Sequence, residues 1–348
     1  MIAFVAPGPL TQLTGGYIYD KQIVDGFRRF GQRVIVKTVS RHFPVPTSRD
    51  LRDAARALAS VPDESVTIVD GLAGGAMPLQ IEREARRLRF VALVHHPLAH
   101  ETGVPKRDKI RLWAHETFAL QQARHVVVTS PRTARLLIRE YGVKPTRLTC
   151  IQPGTDRRPV SRGSTRNSLL CVATLTPRKG HVTLIRALAR VADLDWHLTC
   201  LGSLDRDPLN VRRVRDEIRK ARLGDRVTLA GETASRARLS RYYDQADVFV
   251  LPTEYEGYGM AVAEAVASGL PVISTPTGAI PQLVGRDSGI LVPSGDVNAL
   301  ANALKRVLAD GNARAKLRAG ARRRRRGLQT WTRAVREFMA VVRRVERT

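Results

Sequence analysis

Short, almost continuously apolar runs recur along this chain of 348 residues, and segments of helix length separate most of them. Ile2–Ala6, Val34–Val39, Val66–Asp70, Phe90–His95, His125–Thr129 and Leu148–Gln152 form a first series. Leu169–Ala173, Trp196–Leu201, Val227–Ala230, Val248–Leu251 and Pro271–Ser274 form a second. A strand with one wet face alternates apolar and polar residues. Runs without alternation are buried on both faces, which calls for parallel sheets covered by helices on either side. The stretch Pro153–Ser168, rich in Arg, Ser and Gly, reads as a linker between the two series. The expected architecture is α/β: two Rossmann-like domains facing across a cleft, with ligands at the C-terminal strand ends. The expected domains are residues 1–160, residues 161–325 and a final helical segment, 326–348. In that segment Trp331, Val335, Phe338, Met339 and Val342 share one helical face, just after the run Arg322–Arg326. It either packs onto the N-terminal domain or lies on a membrane surface.

Composition narrows the function. Hydrophobic residues make up 43% of the chain, enough for a sizeable core. No apolar run approaches the ~20 residues of a membrane span, and Met1–Ala6, cut off by Pro7-Gly8-Pro9, reads as a first buried strand rather than a signal peptide. Cys150, Cys171 and Cys200 are odd in number and far apart, without a zinc-finger spacing. They point to a reduced, cytoplasmic setting. The net charge is +26, divided as +12 over residues 1–165, +6 over 166–320 and +8 over the last 28. An anionic membrane surface, nucleic acid and an Arg-rich genomic habit all account for it. Aromatics are only 5%, and no basic stripe with interleaved aromatics offers bases a stacking surface.

The densest chemistry lies in residues 254–273. A strand ends at Pro252; a loop carries Glu256, Gly257, Tyr258 and Gly259; a small-residue helix follows, with Glu264 inside it; Gly269 stops it and Pro271 opens the next strand. The glycines admit a ligand close to backbone N–H groups, and a helix N-terminus favours anions. Carboxylates suit sugar hydroxyls. Phosphate and hydroxyls together are what a nucleotide sugar presents. The stretch resembles the Glu-x7-Glu motif of retaining glycosyltransferases of the GT-B fold, family 4 type. Glu256, Gly257, Tyr258, Gly259, Glu264, Ala265, Gly269, Pro271, Val272 and Ile273 match in order.

Other segments extend the resemblance over nearly the whole chain. Arg178-Lys179-Gly180, at a strand-to-helix turn, is similar to the element that clamps the donor diphosphate. Thr14-Gly15-Gly16 resembles the glycine loop after the first strand, with Gly16 the contact residue. His95 matches the histidine that the family often has beside the donor sugar; His96 and Glu101 are candidates to face the acceptor. Gly202 and Ser203 are candidates for the base pocket. Thr275–Gln282 resembles a Gly-Gly-x-x-Glu segment, but Ala279 and Gln282 depart from it. Pro153-Gly154-Thr155-Asp156 resembles the family's interdomain turn.

The resemblance implies transfer of a sugar from a UDP-, GDP- or ADP-sugar to a hydroxyl acceptor. A lipid-linked or cell-envelope acceptor fits the basic N-terminal half. His95 and Glu256 would serve the reacting sugar. Gly16, Arg178, Lys179, Gly202, Gly257, Tyr258, Gly259, Met260 and Glu264 would hold the donor. No cofactor is implied, and no metal: Arg178 and Lys179 can carry the phosphate charge, and no Asp-x-Asp pair stands where a metal-dependent enzyme would have one. Same-face attack assisted by the leaving phosphate is part of what the family implies. Two other readings remain: a nucleotide-sugar epimerase or phosphorylase of the same fold, and a basic nucleic-acid-binding protein. A metal site from His95, His96 and His100 is disfavoured by Pro97, which breaks a regular helix there.

Overall fold

The computed structural model describes residues 1–100, 106–164 and 166–347. They form two compact units: residues 1–154 with 329–348, and residues 155–328. The boundaries expected at 160 and 325 therefore move to 154 and 328. Residues 155–161 explain the shift. The Ser161 hydroxyl donates to the carbonyls of Asp244 and Ala246, at 2.9 and 2.7 Å, and the Arg325 guanidinium donates to the Arg158 carbonyl. From residue 155 on, the expected linker is thus part of the second unit.

Unit 1 holds six parallel strands: β1 (Ile2–Pro7), β2 (Val34–Val39), β3 (Val66–Asp70), β4 (Arg89–Val94), β5 (His125–Val128) and β6 (Leu148–Cys150). Their order is β2-β1-β3-β4-β5-β6. Ile2 pairs with both Val34 and Val66, so β1 is an interior strand; every residue of β1 and β3 is buried. The C-terminal helix Trp331–Glu346 belongs to this unit. It lays Trp331, Val335, Phe338, Val341, Val342 and Val345 against the helix Gly15–Arg29 and the sheet. Phe338 meets Phe27 edge-on with centroids 5.5 Å apart, and Trp331 meets Tyr19 at 5.9 Å. Packing, not membrane contact, uses this apolar face.

Unit 2 repeats the plan with β7 (Ser168–Val172), β8 (His197–Leu201), β9 (Val227–Leu229), β10 (Val248–Leu251), β11 (Val272–Ser274) and β12 (Gly289–Leu291). The order is β12-β11-β10-β7-β8-β9, all parallel. All eleven expected strands are present, with ends shifted by a residue or two. The sequence reading missed β12, three half-buried residues opening on a glycine. The chain runs outward from β7 through β8 to β9, then returns to β10 and runs the other way. Between β7 and β10 the direction of winding reverses, and between β1 and β3 the same happens in unit 1. In a doubly wound sheet, crevices open at the carboxyl ends of strands at such points.

Candidate active site

Both switch points carry the residues that the motifs single out. In unit 2, β7 leads into the turn Pro177–Lys179 and the helix His181–Ala189. Its neighbour β10 leads through Thr253–Gly259 into the helix Met260–Ala267. The two loops are laced together. The Arg178 carbonyl accepts the Glu254 amide at 2.7 Å and the Thr253 hydroxyl at 3.0 Å. The Arg178 guanidinium donates to the Tyr255 carbonyl at 3.0 Å. Gly180 has φ +73°, and a Cβ there would lie 2.1 Å from the Pro252 carbonyl oxygen, so no other residue fits.

The Lys179 ammonium is in direct contact with a Glu256 carboxylate oxygen. Both side chains are mostly buried. Burial pulls the Lys179 ammonium below its ordinary range, and the charge of Glu256 opposes the fall. Glu264, eight residues on, has different partners. It accepts the Tyr243 hydroxyl at 2.9 Å and lies 3.3 Å from the Arg158 guanidinium, which itself stacks 4.7 Å over the Tyr243 ring. Burial, then the Glu264 charge, holds the Tyr243 phenol well above its usual range, so it remains a donor. Sequence reasoning missed Arg158 and Tyr243, because Arg158 stood in the expected linker and Tyr243 in an ordinary helix.

The helix starts are as informative as the side chains. Thr47, Ser130, Asp207, Ser235, Asp296, Asp310 and Thr330 each cap a helix with a side-chain oxygen. The helices that open at Gly15, His181 and Met260 have no side-chain cap. Their first N–H groups lie behind glycine-bearing loops at the switch points, where an anion can take them. Gly259, at φ +93°, turns the chain into the last of these. Tyr258 is buried in the core. Gly202 is required by packing, since a Cβ there would sit 2.0 Å from the Ala173 carbonyl oxygen. Gly278 is pressed against the Glu256–Gly257 backbone in the same way, which makes the departing 275–282 segment part of this floor. Asp207 caps the helix Pro208–Lys220 by accepting the Asn210 amide at 2.9 Å.

In unit 1, His95 follows β4 and Gly16 lies against its ring, with room for a Cβ no closer than 3.3 Å. The imidazole is held by two carboxylates that the sequence did not disclose. His95 Nε2 is 2.8 Å from Asp20 and 3.5 Å from Asp70, both buried, and Tyr19 contacts the ring edge-on at 5.2 Å. Burial alone would lower the His95 pKa; the Asp20 charge and hydrogen bond, with the Asp70 charge, outweigh it and raise it. Asp70 is pushed up to about 7 by burial and by the nearby Asp20 charge. His100 turns away to Glu140 at 3.3 Å, so it does not converge with His95. Glu101 lies outside the described residues.

Residues 154–324 match the family model of Glycosyl transferases group 1, and residues 15–158 that of Glycosyltransferase Family 4. The chain belongs to this glycosyltransferase family. The MMP alpha-(1->4)-mannosyltransferase of Mycolicibacterium hassiacum is 26% identical over 325 residues, 88% of this chain and 77% of that one. The D-inositol 3-phosphate glycosyltransferase of Xylanimonas cellulosilytica is 31% identical over 216 residues, 57% of this chain and 51% of that one. Among solved structures, a sucrose-phosphate synthase of Thermosynechococcus elongatus matches with TM-score 0.84 at 23% identity, covering 99% of this chain and 98% of that one. Anabaena Alr3699/HepE, in complex with UDP and glucose, matches with TM-score 0.76 at 17% identity, covering 98% and 99%. The GT-B fold and glycosyltransferase activity follow.

Proposed function

We propose that this glycosyltransferase is a retaining, hexosyl-transferring enzyme whose donor is a nucleotide diphosphate sugar and whose acceptor is a hydroxyl. The observation that carries the reading is the laced pair of loops at the β7/β10 switch point. There a cationic turn, an uncapped helix start and two carboxylates with separate partners come from neighbouring strand ends. Arg178, Lys179 and the first N–H groups of the helix Met260–Ala267 supply donors for a diphosphate. As the glycosidic bond breaks, negative charge grows on the leaving phosphate, and these groups stabilise it without magnesium or manganese. Glu264, with Tyr243 and Arg158, suits ribose hydroxyls. Glu256 suits the sugar. In unit 1, Gly16 and His95 suit sugar hydroxyls, with Asp20 and Asp70 holding the imidazole.

The chain is predicted to work at the cytoplasmic face of a membrane on a lipid-linked or cell-envelope acceptor. The basic charge of the N-terminal half supports this, and no helix among the described residues is long and apolar enough to cross a bilayer.

A thermal-shift screen against UDP-, GDP- and ADP-sugars identifies the donor, since a ligand of the folded state raises the melting point. Turnover with that donor, without added divalent metal, should give a product with the donor's anomeric configuration, read by proton NMR. Arg178→Ala and Lys179→Ala should each weaken donor binding and slow transfer by about 2–4 kcal/mol. An inverted product, or unchanged binding in both variants, removes the reading.

A further inference from the structure

Two cysteines and a histidine that lie far apart in sequence meet in the core of unit 2. Cys171 on β7 and Cys200 on β8 are direct partners in the parallel register, so their side chains project from the same face of the sheet. His181 is the first residue of the helix His181–Ala189, and its Nε2 lies 3.6 Å from the Cys171 sulfur. The two sulfurs and a ring nitrogen all lie within 4.8 Å of one another. The three residues are 0%, 0% and 1% exposed for Cys171, Cys200 and His181. Two cysteines alone would be ordinary core residues. A fully buried imidazole whose Nδ1 has no hydrogen-bond partner among the described residues, and whose Nε2 meets only a sulfur, is a different matter. An apolar core disfavours a polar ring held so weakly.

We propose that Cys171, Cys200 and His181 bind a thiophilic divalent cation, zinc above all. With Zn–S near 2.3 Å and Zn–N near 2.0–2.1 Å, tetrahedral ligands stand about 3.6 Å apart for sulfur to nitrogen and about 3.8 Å for sulfur to sulfur. The Cys171–His181 separation already has the first value, and the outer limit of the cluster needs a contraction of at most about 1 Å. Binding releases one proton from each thiol, forms two metal–thiolate bonds and one metal–imidazole bond, and leaves a site without net charge. Such a site can lie in a core where a lone dication could not. Three protein ligands leave the fourth position to water. The site adjoins the donor turn, with the Cys171 sulfur near enough to Lys179 for their charges to interact. Its effect is to tie the start of the His181–Ala189 helix, two residues after Lys179, to β7 and β8. It stands whether or not the donor assignment does.

The test is a titration of chelator-treated, reduced protein with Co²⁺ alone. The expected result is one Co²⁺ per chain, a thiolate-to-cobalt charge-transfer band with the visible bands of a tetrahedral site, and displacement by one equivalent of Zn²⁺. The melting point should rise with Zn²⁺. Cys171→Ser and Cys200→Ser should each abolish the band, whereas Cys150→Ser, in unit 1, should leave it. The wild-type titration decides alone if a ligand variant does not fold, as far-UV circular dichroism would show. Absence of the band at stoichiometric Co²⁺ overturns the proposal, and so does a band that survives in either folded serine variant.

Discussion

Glu256 and Glu264 carry the same functional group on one short segment, and their surroundings divide their work. Glu264 is fixed by a phenol and a guanidinium that do not change as a bond breaks. A ribose contact there is equal in ground and transition states, so Glu264→Gln should chiefly raise the donor Kd. Glu256 is paired with Lys179, the residue assigned to the leaving phosphate. Glu256→Gln should therefore chiefly lower kcat. Single-turnover rates beside equilibrium donor titrations separate the two, and the opposite pattern would exchange their roles. Asp70 offers a prediction in pH. Its folded pKa, about 7, stands above the unfolded value near ~3.9. The folded state thus holds a proton that the unfolded chain gives up. Asp70 contributes stability below about pH 4 and loses it as pH rises through about 7. His95, also raised, acts in the same direction. Thermal unfolding of wild type should decline relative to Asp70→Asn between pH 4 and 8, by on the order of a few kcal/mol. Parallel curves would show that Asp70 does not titrate there.

At the scale of elements, the final helix shows how much the sequence discloses and where it stops. The i, i+4, i+7 pattern from Trp331 marks the buried face, and four of its five expected residues are buried. Nothing local says which surface receives it. That depends on Gly26, near the C-terminal end of the helix Gly15–Arg29. A Cβ at Gly26 would lie 2.3 Å from a Val335 methyl, so the helices approach as closely as backbone allows. Glycine to alanine in a helix interior normally stabilises by about 1 kcal/mol. Here the overlap reverses the sign, and Gly26→Ala should cost about 1–3 kcal/mol. Adding Val335→Ala removes the clashing methyls. The double variant should lose less stability in urea than the two single variants together, and simple additivity would refute the close approach. The same limit explains the functional residues. Glu256, Glu264, Arg178 and Lys179 were legible because their motifs are contiguous. Asp20, Asp70, Arg158, Tyr243 and the Cys171–His181–Cys200 cluster exist only through strand order, which sequence periodicity does not encode.

At the scale of the molecule, the remaining question is what the charge is for. Part of it is structural. Within the run Arg322–Arg326, Arg323 pairs with Asp287 at 2.7 Å, Arg324 donates to the Leu283 carbonyl at 3.2 Å and Arg325 to that of Arg158. The +12 of residues 1–165 is less committed. In unit 1 the helix Lys106–Gln122 carries Arg107 and Arg111, both beside Asp108, and Lys109, and on the same helix Ile110 is 72% and Trp113 42% exposed. The helix Pro131–Tyr141 adds Arg135, Arg139 and the exposed Ile138. Apolar side chains among cations are what a bilayer interface with anionic headgroups accepts. Each basic residue near such a surface contributes about 1 kcal/mol, screened over a Debye length of ~8 Å at physiological salt. The protein should therefore co-sediment with vesicles containing anionic lipid at low salt and leave neutral ones, with release as salt rises. Ile110→Ser with Trp113→Ser should leave the salt-sensitive encounter but weaken retention, since the apolar contribution goes while the charge stays. Equal binding to neutral and anionic vesicles would return the arginines to a compositional habit and make a soluble acceptor the better reading.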